Sequence, residues 1–167
     1  MQIATWNVNS IRTRKSQVLQ WLQSHPVDIL CLQETKVTDD LFPRSPFEEL
    51  GYYVYISGQK SYNGVAIFSR SPLENVATGF ADFLGESVAE FDRQKRVLTG
   101  TLDNMRIVNL YVPNGGEIDS DKYDYKLKWL AVLYDTLQKW LQAESNILVC
   151  GDFNIVLEAR DVHDPDI

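Results

Sequence analysis

Apolar positions fall in short runs separated by polar turns, and the runs change period along the chain. "IATWNV" reads as a short strand ending at Asn7. Ser10 then caps a predicted helix over residues 11–24, with Ile11, Val18, Leu19 and Leu22 toward the core and Pro26 closing it. The unbroken run Ile29–Leu32 is that of a strand covered on both faces, and it ends in Gln33 and Glu34. Residues 38–50 are polar, contain two prolines, and predict loop with a short helix. "YYVYISG" and "GVAIFSR" predict neighbouring strands, "ENVATGF" another, and 82–87 a loop. "RVLTGTLDNMRIVNLYV" predicts a hairpin turning at Asp103-Asn104. From 120 to 142, Leu127, Leu130, Tyr134, Leu137 and Leu141 recur at helical spacing and predict one buried face. "NILVCGDF" returns to a buried strand, and the tail "EARDVHDPDI" has no core pattern. Strands alternating with amphipathic helices predict a layered α/β or α+β sandwich.

Length and composition change this picture little. A chain of 167 residues with 44% hydrophobic and 23% charged positions suits one globular domain. No apolar run is long enough to cross a bilayer, and the N-terminus lacks a signal-peptide pattern. Cys31 and Cys150 sit inside apolar runs and read as buried free thiols, which predicts a reducing, cytoplasmic setting. A net charge of −7 argues against a broad nucleic-acid surface, yet local basic patches occur at Arg12, Arg14 and Lys15, at Lys95 and Arg96, and at Lys122, Lys126 and Lys128. Their ordinary alternative is solvated surface charge.

The candidate chemistry gathers where the strands end: Asn7 and Asn9, Glu34, Tyr111 and Asn114, Asp152 and Asn154. If the last strand persists to Asn154, alternation sends Asp152 and Asn154 out of one sheet edge together. Each residue has a plain structural alternative: Asn7 a helix cap, Glu34 an exposed strand end, Tyr111 a half-buried strand tyrosine, Asp152 a turn former. Their joint occurrence at the ends of apolar strands favours an all-oxygen site for a hard cation such as Mg²⁺, and the two histidines, His25 and His163, lack zinc spacing.

"WNVNSIR", "LQETK", "YNGVAIFS", "NLYVPNG" and "GDFNI" occur in this order. Together they resemble the exonuclease III family of abasic-site endonucleases, within the endonuclease/exonuclease/phosphatase superfamily. The resemblance implies a four-layer α/β sandwich and divalent-metal-dependent hydrolysis of phosphodiester bonds, with Mg²⁺ (or Mn²⁺) as cofactor. The implied substrate is double-stranded DNA bearing abasic sites or 3′ ends. By position it implies Glu34 as principal metal ligand with Asn7 beside it, and Asp152 and Asn154 both at the metal and around the attacking water. Tyr111 would act at the leaving oxygen and Asn114 at the scissile phosphate. Arg12, Lys36, Tyr62, Asn63, Arg96, Lys122 and Tyr125 are implied DNA contacts.

The same resemblance implies that residues 1–167 are the N-terminal portion of a single domain. The C-terminal strands and an Asp-His motif would lie beyond "DVHDPDI", where His163 is an ordinary loop histidine. On these residues alone the second sheet is expected to be missing and a strip of apolar surface exposed. Two competing expectations are an inactive half-domain acting only in binding or assembly, and a phosphoesterase for a small substrate.

Overall fold

Eight strands build two four-stranded sheets in the computed structural model, which describes residues 1–161. The first sheet holds β1 (Ile3–Asn7), β2 (Ile29–Gln33), β3 (Tyr53–Ser57) and β4 (Val65–Ser69), in the order β1-β2-β4-β3. The second holds β5 (Glu74–Thr78), β6 (Val97–Leu102), β7 (Met105–Tyr111) and β8 (Ile147–Asp152), in sequence order. Each sheet contains one parallel pair, β1 with β2 and β7 with β8, while the other pairings are antiparallel. Helices α1 (Ile11–Ser24) and α2 (Ser45–Glu49) cover the first sheet, and α3 (Ala81–Leu84) and α4 (Asp121–Ala143) the second. Ile29, Cys31, Val65, Ile67, Leu98 and Ile107 fill the space between the sheets, which completes the four layers expected. Among the described residues no helix is long and apolar enough to cross a membrane.

Both sheets form, so the expectation of a missing second sheet is overturned: β5–β8 supply it from residues 74–152. The β6–β7 hairpin turns at Asp103 and Asn104, both left-handed (φ 49° and 62°), the two-residue turn that matches strand twist. Residues 82–87 are not loop. Helix α3 and a 3₁₀ segment, Glu86–Arg93, occupy this stretch. The ordering is tertiary: the Asp92 carboxylate accepts from the amides of Phe80 (2.7 Å) and Ala81 (2.9 Å) at the start of α3. Phe80 and Phe83 then set their rings edge-on against Trp129 and Trp140 of α4.

Those tryptophans also correct the face of α4. The helix buries Trp129, Leu133, Thr136 and Trp140, whereas Leu127, Tyr134 and Leu141 are 48%, 62% and 58% exposed and Leu130 and Leu137 half-buried. Two apolar stripes share this helix, and the one carrying two indole rings takes the sheet because it removes more area from water. Cys31 is buried as expected, while Cys150 is only half-buried.

Candidate active site

The parallel pairs place their C-terminal ends side by side. Asn7 pairs with Gln33, the residue before Glu34, and Tyr111 pairs with Asp152. Gly151 lies so close to β7 that a Cβ would fall 1.9 Å from the Leu110 carbonyl oxygen, so only glycine brings Asp152 to this register.

Across the sheets, the Asn7 Nδ2 amide donates to Glu34 Oε1 (2.8 Å) and to Asp152 Oδ2 (2.7 Å). One side chain thus holds two carboxylates together, and its own Oδ1 accepts from the Asn9 amide (3.0 Å). In this geometry Asn7 presents its nitrogen to the carboxylates and holds them together. Lys36 Nζ lies 2.8 Å from Glu34 Oε2 and donates to Asn9 Oδ1 at 2.5 Å. Glu34 and Lys36 are both left-handed (φ 55° and 54°), a conformation unfavourable for residues with side chains. The turn is held by the amides of Ser10, which donates to Glu34 O (2.7 Å), and of Lys36, which donates to Asn63 O (2.9 Å).

Alternation does not bring Asp152 and Asn154 together. Strand β8 stops at Asp152, and Asn154 turns left-handed (φ 49°) with its amide donating to Asp152 Oδ1 (3.0 Å). Asn154 Nδ2 donates to Val112 O (2.8 Å) and its carbonyl oxygen accepts from Lys126 Nζ (2.5 Å), so the side-chain oxygen is the atom left to meet a ligand.

An open cavity of about 680 Å³ adjoins this cluster. Glu34, Lys36, Tyr62, Asn63 and Arg96 line it, as do Tyr111, Asn114, Lys122 and Tyr125. Arg12 is exposed on α1 and is not among its lining residues, and His163 lies outside the described residues. Sequence reasoning missed Gln59, whose Oε1 accepts from Asn63 Nδ2 (2.9 Å) and the Lys95 amide (3.1 Å), and Gln94, which accepts from Arg96 Nε (2.7 Å). It also left Lys126 among surface charges. Only the Asn154 backbone, displaced into a left-handed turn, brings a carbonyl to that ammonium, and no local sequence signal announces it.

Burial pushes the Glu34 carboxyl up, but hydrogen bonds from Asn7, Lys36 and Tyr111 outweigh it and hold it below its ordinary value. Burial, then the neighbouring Glu34 carboxylate, raises the Tyr111 phenol to about 12, so it stays a protonated donor at neutral pH. A depressed carboxyl contributes stability that is present above the unfolded value of about 4.3 and is lost as pH falls through the folded one. In chelator, Glu34→Gln is therefore expected to flatten the acid limb of the stability profile, measured by urea unfolding between about pH 3 and pH 7. An acid limb identical to wild type would refute this assignment.

The donor set fits a hard divalent cation. Two carboxylate oxygens converge on one amide and an ammonium already sits on Glu34, although among the described residues no cluster of three or more His, Cys, Asp or Glu is present. Mg²⁺ is commonly held by one or two carboxylates and retained water.

Known proteins share this fold and part of this sequence. The Endonuclease/Exonuclease/phosphatase family matches residues 4–167. An exodeoxyribonuclease of Bacillus subtilis is 31% identical over 168 residues, covering 99% of this chain and 63% of its own length. The 3′ phosphatase NExo from Neisseria, solved bound to a product DNA hairpin, superposes with a TM-score of 0.89 at 38% identity over 99% of this chain and 62% of its own. An AP endonuclease from Archaeoglobus fulgidus gives 0.85 at 42% identity, again over 99% and 62%. The chain spans about three-fifths of the length of these relatives.

Proposed function

We propose, from the premise that this chain belongs to the Endonuclease/Exonuclease/phosphatase family, that it carries the metal- and phosphate-binding side of a DNA-repair nuclease. The reaction is hydrolysis of phosphodiester bonds in duplex DNA, at abasic sites or 3′ ends. The observation that carries this reading is the Asn7 amide shared between Glu34 and Asp152, which joins two sheets at one oxygen-rich point.

Glu34 would hold Mg²⁺ (Mn²⁺ accepts the same oxygens), with Asp152 and the Asn154 side-chain oxygen beside it. When bound, the cation offsets charge that builds on the phosphate oxygens and acidifies water. Asp152 accepts a proton from the attacking water, and Asn154, with its amide fixed on Val112, orients that water and the phosphate. Tyr111, kept neutral, donates toward the leaving oxygen. Lys36, Arg96 and Lys122 bring three cations to a cavity wall that also carries Glu34 and Asp121, and Asn63, Tyr62, Asn114 and Tyr125 complete the DNA-backbone contacts. Arg12 would contact DNA from outside the cavity. Two cysteines left as free thiols suit a reducing, cytoplasmic setting.

The test is cleavage of an abasic duplex by the full-length protein, with Mg²⁺ and with chelator, beside Glu34→Ala. Cutting that stops in chelator and in the variant is the expected result. An undiminished rate in either overturns the metal site, and turnover of inositol phosphates without DNA cleavage would instead assign a small phosphoester as substrate.

A further inference from the structure

Among the apolar side chains between the two sheets lie two buried amides. Gln33 is 1% and Asn109 0% exposed, among Cys31, Ile67, Leu98 and Ile107. Burying amides there is unfavourable unless every polar atom finds a partner. Asn109 finds all of its partners across the gap. Its Nδ2 donates to Leu32 O (2.9 Å) and Ala66 O (2.8 Å), carbonyls of β2 and β4, and its Oδ1 accepts from Gln33 Nε2 (2.7 Å). Gln33 Nε2 also lies 2.9 Å from Thr5 Oγ1 on β1 and 3.2 Å from Cys31 O. An apolar pair would fill this space without desolvating anything, so stability alone does not call for the amides.

Their place along the strands supplies a reason. Gln33 immediately precedes Glu34, and Asn109 precedes Tyr111 by two residues. Asn109 also pairs with Cys150 in β8, two residues before Asp152. Thr5 stands two residues before Asn7. The cluster's side chains therefore tie β1, β2 and β7 together one pleat behind the site, and β8 follows through its pairing with β7. Directional hydrogen bonds fix the sliding of one sheet over the other, which apolar contacts resist weakly.

We infer that Gln33 and Asn109 are positioning residues that set the separation of Glu34 from Asp152 and Tyr111 across the sheets, and so the affinity of the site for a divalent cation. This rests on the metal-site reading above. Partners that orient a ligand from behind change metal affinity by ~10–100-fold when removed.

The test measures Mn²⁺ affinity by electron paramagnetic resonance, and Tm, on the full-length protein. Asn109→Leu keeps the branched shape and removes the bridge. Gln33→Met is the milder second variant, since it leaves both Asn109 donors on their carbonyls. Leu133→Ala, a cavity in the α4 core, provides a control that loses stability without touching the bridge. Both bridge variants are expected to weaken Mn²⁺ binding by ~10-fold or more while folded, and Leu133→Ala to bind as wild type. Bridge variants that lose Tm yet bind Mn²⁺ as wild type overturn the inference and leave the amides a packing device. Wild-type protein that binds no Mn²⁺, or Glu34→Ala that binds it undiminished, overturns the metal-site reading and the inference with it.

Discussion

Asp152→Asn is expected to slow phosphodiester cleavage by ~10²–10⁴-fold, the range for a positioned acid–base group, while leaving the fold intact. The substitution is close to isosteric. Its side-chain oxygen still accepts from the Asn154 amide, the bond that shapes the turn after β8. What disappears is the charge that makes the group a base, together with the acceptor for Asn7 Nδ2, which then faces a second amide nitrogen. The lost Asn7 bond offsets any gain from removing one of two converging carboxylates, so Tm is expected to change little or to fall slightly. Single-turnover cleavage over a Mg²⁺ titration separates the roles of this residue. If Asp152 serves mainly as a ligand, high Mg²⁺ restores the rate; if it accepts the proton, the deficit persists at saturation. A wild-type rate at all concentrations removes Asp152 from the chemistry.

Why this residue was legible in the sequence, and its neighbours less so, follows from how each is held. "ILCLQE" announces itself because a strand covered on both faces cannot alternate, so the carboxylate ending the run stands out. "ILVCGD" shows the same unbroken run, although β8, at the edge of its sheet, is only half-buried. Glu34 and Asn154 reach the site through left-handed turns stabilised by Ser10, Asn63, Lys126 and Val112, partners far off in the chain that no periodicity encodes. Asn109 was visible as one polar residue inside "IVNLYV", but only the facing sheet gives it meaning. For α4, spacing identified the helix and not its buried side, because 3-4 periodicity is satisfied by both apolar stripes and the choice lies with the Phe80 and Phe83 rings opposite.

The same limit hides Arg106, whose partner lies 38 residues away. This buried guanidinium donates from Nε to Glu144 Oε2 (2.8 Å) and from a terminal nitrogen to the other carboxylate oxygen, and it reaches Thr99 Oγ1 at 3.3 Å. Phe83 and Trp140 flank it, with ring centroids 5.5 and 5.1 Å from the guanidinium carbon. Glu144 also caps the C-terminus of α4, so this one side chain fastens the end of the helix to β7 beneath the α3 segment. Arg106→Ala is expected to destabilise the protein by ~3 kcal/mol, the low end for breaking a buried ion pair because the Glu144 side chain remains 29% exposed to water. Part of that loss is the arginine stem, which packs on two rings. Arg106→Lys is expected to recover less than half, since an ammonium cannot grip both carboxylate oxygens at once. A double-mutant cycle with Glu144→Gln, read by urea unfolding, isolates the pair. Coupling near zero would assign the stabilisation to ring packing alone. Coupling of ~1 kcal/mol or more, with Arg106→Ala raising the hydrogen exchange of 81–93 and of the last turn of α4 together, would make this ion pair the latch that orders both segments.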